Sequence, residues 1–337
     1  MNPKTYRTNQ WAKNKKDAIK RLERLIDYEA KHNLLEEVIA VSVDKEFTAR
    51  EMLDAIENED EYGEQLIRMF QMRQRMSGSL SLLNLVSQTN KNSRESNQSE
   101  NSSSQDSDKG TSADPNLLLI SPTDDPPNSH YVKCFSHPAA VKAGNVANNC
   151  RVNWSTKLLD DNSADFASVT QALQNGNINF VLHYGHGNIG RILGQKQLPV
   201  IDSTNVGYLR GKSLSTVSCA SAFGLGPSAI SAGARAYLGY CLPIWEPPPN
   251  QRELISIFIK IVNAPNIALL NGETFLDAFI EGIVNYLLGF LQLITLEAAA
   301  ALTGDVNQAE IIFWASCGLL WDMAGFTRLG DPYAQAL

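Results

Sequence analysis

The chain has 337 residues, with 29 basic and 36 acidic side chains and a formal net charge of −7, a balance that excludes a general binder of nucleic-acid phosphates. Its 43% hydrophobic content excludes a wholly disordered chain, and the length suits two domains of roughly 150 residues each. Five cysteines at 134, 150, 219, 241 and 317 form no CxxC pair, and residues 1–30 hold no apolar signal-peptide core, so reduced thiols in a cytoplasmic protein are expected.

Charge density divides the chain. Residues 1–76 carry 14 basic and 15 acidic groups, whereas residues 117–337 carry only 12 and 16 over a far longer stretch. In the first segment Ile19, Leu22, Leu25 and Ile26 recur at helical spacing, and Leu34, Leu35, Val38 and Ile39 follow after His32-Asn33. Thr48 and Glu51 form a capping box that opens a further helix through Met52, Leu53 and Ile56, and a fourth is expected from about Tyr62 to Arg75. Residues 1–86 are therefore expected to form a small all-α bundle acting as a protein-binding adaptor. Residues 87–116 are dominated by Ser, Asn, Gln and Asp, a composition that cannot offset the entropy of ordering, and are read as a disordered linker.

From residue 117 the period changes. Leu117–Ser121, Arg151–Leu158, Ile178–His183, Leu214–Ser218 and Arg235–Cys241 read as short strands, with helix-like segments at 138–148, 165–175 and 226–233 between them. Alternating strands and helices predict an α/β fold with a mainly parallel sheet flanked by helices, whose ligands bind beyond the carboxyl ends of the strands. The chain then becomes helical. Its most apolar run, Gly282–Thr295, has 14 residues, short of the 18 to 20 needed to cross a bilayer, so a buried core helix is expected and no stable membrane span.

Two predicted strand ends carry reactive side chains: His183-Tyr184-Gly185-His186-Gly187, and Ser218-Cys219-Ala220-Ser221. A thiol between a strand and a helix N-terminus feels the positive end of the helix dipole, and an imidazole at a neighbouring strand end exchanges its proton. The Gly187 and Cys219 amides are placed to stabilise an oxyanion. Against this stand two blander readings: a Cys ending an apolar strand is often a small buried hydrophobe, and a His beside glycines is often a turn residue. His183 and His186 with Cys219 or Cys241 would make a sparse metal site, since no acidic or further His ligand lies nearby in sequence; neither a metal nor an organic cofactor is expected. No GxSxG elbow, P-loop or GxGxxG turn is present.

A hydrophobic strand ending in His-Gly, followed by a second ending in Cys, resembles the caspase-like cysteine peptidases of clan CD: caspases, gingipains, separase, clostripain and the bacterial CHAT domains. Likeness to the gingipain and CHAT branches extends through Cys219-Ala-Ser-Ala-Phe-Gly-Leu-Gly, Ala232–Tyr240 and Leu329-Gly330-Asp331-Pro332, and spans about residues 117–337. The resemblance implies a caspase-like fold and a cysteine endopeptidase. Cys219 is then the nucleophile, His186 the general acid/base, the Gly187 and Cys219 amides the oxyanion donors, and His183 a structural partner. The 33 positions between the pair leave little room for extra strands. Family specificity rests largely on the floor of the first substrate pocket. Here Asp124 and Asp125 in the loop after the first strand, with Glu246, imply cleavage after Lys or Arg, although both aspartates also suit a solvated turn before Pro126. Lys91, Arg94 and Lys109 in the linker are then self-cleavage sites. The segment Leu22–Val38 is similar to death-fold and effector-associated adaptor modules that bacteria fuse to such peptidases, which implies recruitment by a protein activator in defence or cell death. A catalytically silent scaffold that binds protein partners is the alternative.

Overall fold

The computed structural model describes residues 3–32, 38–42, 45–74, 116–125, 129–175 and 177–337. The expected linker, with Lys91, Arg94 and Lys109, lies outside them, apart from Asn116, as do Leu34 and Leu35.

The N-terminal residues form α1 (Pro3–His32), β1 (Val38–Ser42), β2 (Lys45–Thr48), α2 (Ala49–Asn58) and α3 (61–74). The capping box is present: the Glu51 amide donates to Thr48 Oγ1 at 3.3 Å and the Thr48 amide to Glu51 Oε2 at 2.9 Å. The helical reading of Val38 and Ile39 is corrected, because Val38–Ser42 is a strand paired antiparallel with β2. Its β-branched Val-Ile-Ala-Val sequence suits an extended ladder better than a short helix.

The remainder builds a six-stranded sheet from β3 (Asn116–Ser121), β4 (Ser155–Asp160), β5 (Ile178–Tyr184), β9 (Ser213–Val217), β10 (Ala236–Tyr240) and β12 (Phe326–Gly330), in the order β12-β10-β9-β5-β3-β4. Every neighbouring pair is parallel except β10 with β12. Period-2 alternation sends Leu117, Leu119, Phe180 and Leu182 to one face and Leu118, Ile120 and Val181 to the other, and both faces are buried. α5 (Phe166–Asn175) and α6 (Ser221–Ser231) cover the second face through Val169, Leu173, Leu225 and Ala229. α4 (His137–Ala147), α7 (Arg252–Leu270), α8 (Phe275–Thr303) and α9 (Val306–Gly325) contribute to the core on the first.

Between β5 and β9, where little room was expected for strands, the chain forms a small antiparallel sheet of β6 (Gly187–Asn188), β7 (Arg191–Leu193) and β8 (Pro199–Ile201). Three strands of two or three residues fit where longer ones do not. The apolar run 282–295 is one part of a 29-residue helix, α8. α7 and α8 are each long and apolar enough to cross a membrane by length and composition. α8 buries only one face, including Gly282, Tyr286, Gly289, Phe290 and Leu293, and exposes Ile280, Val284, Leu288 and Leu291.

The N-terminal elements share a core with this unit. Phe70 packs against Phe313 and Trp314 of α9, and the Arg21 guanidinium lies 3.4 Å from the Phe313 ring centre. Arg21 Nε also meets Glu310 Oε2 at 2.7 Å, and Arg73 pairs with Glu297. A third sheet joins the two regions: β1 pairs antiparallel with β11 (Trp245–Glu246), Val41 opposite Glu246 and Ser42 opposite Trp245.

Candidate active site

β5 and β9 lie side by side and parallel, with Tyr184 opposite Val217. Two residues beyond this pair each strand reaches a reactive side chain, His186 on one and Cys219 on the other. The chains stay close past the ladder: the Gly185 amide donates to the Val217 carbonyl at 3.2 Å, and a Cβ on Gly187 would sit 2.9 Å from Ser218 Cβ and Oγ. Glycine at 187 is thus what lets the His-bearing turn lie against the residue preceding the cysteine. The structure brings His186, Gly187 and Cys219 to neighbouring strand ends, at the carboxyl edge where a parallel sheet offers its binding crevice.

His186 is buried, and its Nε2 lies 3.2 Å from Asp125 Oδ1. The Asp125 carboxylate also accepts the amides of Val132 at 2.8 Å and Lys133 at 2.9 Å. Those amides belong to the first turn of a π-helical segment, Tyr131–Ser136, that leads into α4. Burial pushes the Asp125 carboxyl up, but the His186 ring and the two amides outweigh it and hold the group below the ordinary carboxylate value. Asp125 therefore stays ionised and orients the imidazole. The Tyr131 ring packs 5.1 Å from the His186 ring, and its hydroxyl donates to the Val217 carbonyl at 3.1 Å. Tyr131 ties the imidazole to the strand that carries the cysteine.

Cys219 stands between β9 and α6. Ala220 takes a left-handed conformation, φ 49°, so the chain turns sharply from strand to helix. This turn explains why α6 begins at Ser221, five residues before the helix expected over 226–233. The Cys219 side chain is only 6% exposed. The Ile244 amide donates to Sγ at 2.8 Å and the Ala220 amide to the Leu242 carbonyl at 3.1 Å, so the segment after β10 lies across the thiol.

His183 is buried in the ladder with both ring nitrogens engaged, Nδ1 with Thr216 Oγ1 and Nε2 with the Leu193 carbonyl, each at 2.9 Å. Burial lowers its pKa to about 4, so the ring is neutral at pH 7, donates from Nε2 and accepts at Nδ1. From Thr216 the contacts continue through Ser218 Oγ at 2.7 Å and Ser221 Oγ at 3.0 Å to the Tyr237 hydroxyl. This buried polar chain fixes the backbone on which Cys219 is mounted.

The acidic residues read as pocket floor are dispersed. Asp125 is turned to His186. Asp124 is half-buried, its carbonyl accepting from Gln197 Nε2 at 2.9 Å. Glu246 is buried in β11 with its neighbour Trp245, whose amide donates to Asp322 Oδ1 at 2.8 Å. Burial first, and the nearby Glu246 carboxylate second, push the Asp322 carboxyl well up, whereas the Trp245 amide draws it down. Among the described residues no group of three or more His, Cys, Asp or Glu is placed to hold a metal ion. Sequence reasoning missed Asp125 as the imidazole's partner, Tyr131 as the bridge and the Ile244 amide over the sulfur. A backbone donor leaves no signature in sequence, and the link between residues 125 and 186 exists only in the fold. Comparison of the chain with protein-family models and with curated proteins finds no match to either.

Proposed function

We propose that the protein is a cysteine endopeptidase of caspase-like fold in which Cys219 attacks the scissile carbonyl and His186 moves the proton. The observation that supports this reading best is the placement of His186 and Cys219 two residues past one paired position of adjacent parallel strands, with His186 held by Asp125. A nucleophile and a base suffice for acyl transfer, and a residue that orients the base improves it. His186 takes the thiol proton and returns it to the leaving amine; the Gly187 and Cys219 amides face the oxyanion. The acyl-enzyme then passes to water, activated by the same imidazole. With Asp125 committed to His186 and Glu246 buried in β11, preference for Lys or Arg substrates falls to Asp124. The N-terminal unit receives a protein activator, and the setting is cytoplasmic.

The test is intact-protein mass spectrometry after treatment with chloromethyl-ketone peptides ending in Arg, Lys, Asp or Leu, on wild type, Cys219→Ala and His186→Ala. Modification confined to Cys219 and slowed at least 100-fold by His186→Ala is expected, fastest with Arg or Lys. Equal modification in the His186→Ala variant overturns the reading. The covered thiol favours one other reading, a silent scaffold. A scaffold would leave Cys219 unmodified by every ketone even when the covering segment is displaced.

A further inference from the structure

The segment over Cys219 is built from two sides. Residues 242–244 belong to the peptidase-like unit: the Leu242 carbonyl takes the Ala220 amide, the Pro243 carbonyl takes Trp321 Nε1 at 2.9 Å, and the Ile244 amide sits on the sulfur. The next two residues are β11, whose strand partner comes from the N-terminal unit, Ser42 opposite Trp245 and Val41 opposite Glu246. The Trp245 ring stacks on Phe47, centroids 5.5 Å apart and planes 22° from parallel, and Phe47 in turn meets Tyr62 edge-on at 5.2 Å. Trp245 and Phe47 are both buried. The amide on the sulfur is therefore one residue away from a strand and a ring stack supplied by residues 38–62.

The same N-terminal unit also grips α9, which holds the other end of this segment through Trp321 and Asp322. Its grip on α9 uses Phe70 on Phe313 and Trp314 and Arg21 on Glu310, and Arg73 adds an ion pair with Glu297 of the neighbouring α8.

We infer that the N-terminal unit is an inhibitory clamp: it pins residues 242–246 across Cys219 and keeps the thiol from substrate until that unit is pulled away. This rests on the reading of Cys219 as a nucleophile. An acyl group cannot approach a sulfur that is 6% exposed with a main-chain N–H 2.8 Å from it. Releasing β1 from β11 and Phe47 from Trp245 removes the main-chain pairing and the aromatic contact that the N-terminal unit adds to the covering segment, leaving it held by Ala220, Trp321 and Asp322, so a partner that binds residues 1–74 in their undocked form loosens the cover and opens the site.

The test uses the full chain and a readout independent of catalysis. The rate of iodoacetamide addition at Cys219 is followed by peptide mass spectrometry, with half-buried Cys150, beside the end of α7, as internal reference. Arg21→Glu places like charges against Glu310 and Glu297, and Phe47→Ala removes the stacked ring. Each is expected to speed Cys219 addition at least tenfold while Cys150 stays within twofold. Glu310→Arg added to Arg21→Glu is expected to restore slow addition. The clamp is overturned if Cys219 reacts as fast as Cys150 in the wild type, if neither folded variant speeds it, or if both cysteines speed up together. The two proposals fail separately. Faster iodoacetamide addition with no ketone labelling in the same variants sinks the peptidase and keeps the clamp. His186-dependent ketone labelling at one rate in all variants does the reverse.

Discussion

Gly187→Ala tests whether the dyad depends on the close approach of the two strand ends. The new methyl carbon would meet Ser218 Cβ and Oγ at 2.9 Å and the Arg191 carbonyl oxygen at 3.3 Å. Carbon atoms rest at about 3.5 to 4.0 Å, so the turn must move by roughly 0.6 to 1.1 Å. Ser218 cannot yield, because its hydroxyl is held by Thr216 and Ser221; the movement falls on the turn that carries His186. Overpacking of this kind costs about 1–3 kcal/mol of stability. A misplacement near 1 Å between reacting groups costs on the order of 100-fold in rate. The assay is ketone labelling of Cys219 in the Arg21→Glu background, with thermal melting alongside. Labelling is expected to fall by about 10- to 100-fold and to recover in part when Ser218→Gly removes both contacted atoms. Labelling within twofold of the parent, with an unchanged melting temperature, would refute the geometry.

Asp125→Asn removes the charge that orients His186 and should slow labelling by about 100-fold with His186 present; an unchanged rate means that Asp125 only closes its loop. His183 gives a pH signature. Its folded pKa near 4 lies below the ordinary 6.5, so its stabilisation is complete above pH 6.5 and is lost as pH falls from 6.5 to 4, by roughly 3 kcal/mol at the limit. Urea unfolding across that window should show a steeper acid loss in wild type than in His183→Gln, and parallel curves would contradict the buried neutral ring. Gly63→Ala should loosen the N-terminal unit, because its Cβ would fall 2.0 Å from the Ala55 carbonyl oxygen. The expected result is a lower melting temperature together with faster iodoacetamide addition at Cys219; unaltered melting would show that the turn between α2 and α3 has more room than this.

The sheet was legible because its signals are local. Runs such as Leu-Leu-Leu-Ile-Ser and Ile-Asn-Phe-Val-Leu-His are strand-length and apolar on both faces, and they form β3 and β5 within a residue or two of the expected bounds. The two candidate strand ends were legible for the same reason: His186 and Cys219 each stand two residues past such a run. What the sequence concealed is non-local. Val38–Ser42 carries apolar residues that serve either period, and a partner more than 200 positions away, β11, goes with the extended form. Asp125 reads equally as a turn residue or a pocket floor until the fold brings His186 to it. The early start of α6 depends on a single left-handed residue, Ala220, a conformation that alanine seldom adopts.

The antiparallel edge strand β12 has a consequence for biosynthesis. It pairs with β10, Phe326 opposite Tyr240, across the whole α7–α9 hairpin stack. A ribosome must add 90 residues after β10 ends at Tyr240 before that partner is complete at Gly330. At 5 to 20 residues per second this takes about 5 to 18 s. During that interval β10 presents an unpaired apolar edge, and α7 and α8 emerge as two long apolar helices with their cover missing. The nascent chain is therefore expected to be most prone to aggregate after residue 240 and before residue 330, and truncations ending between those points should aggregate more than the full chain.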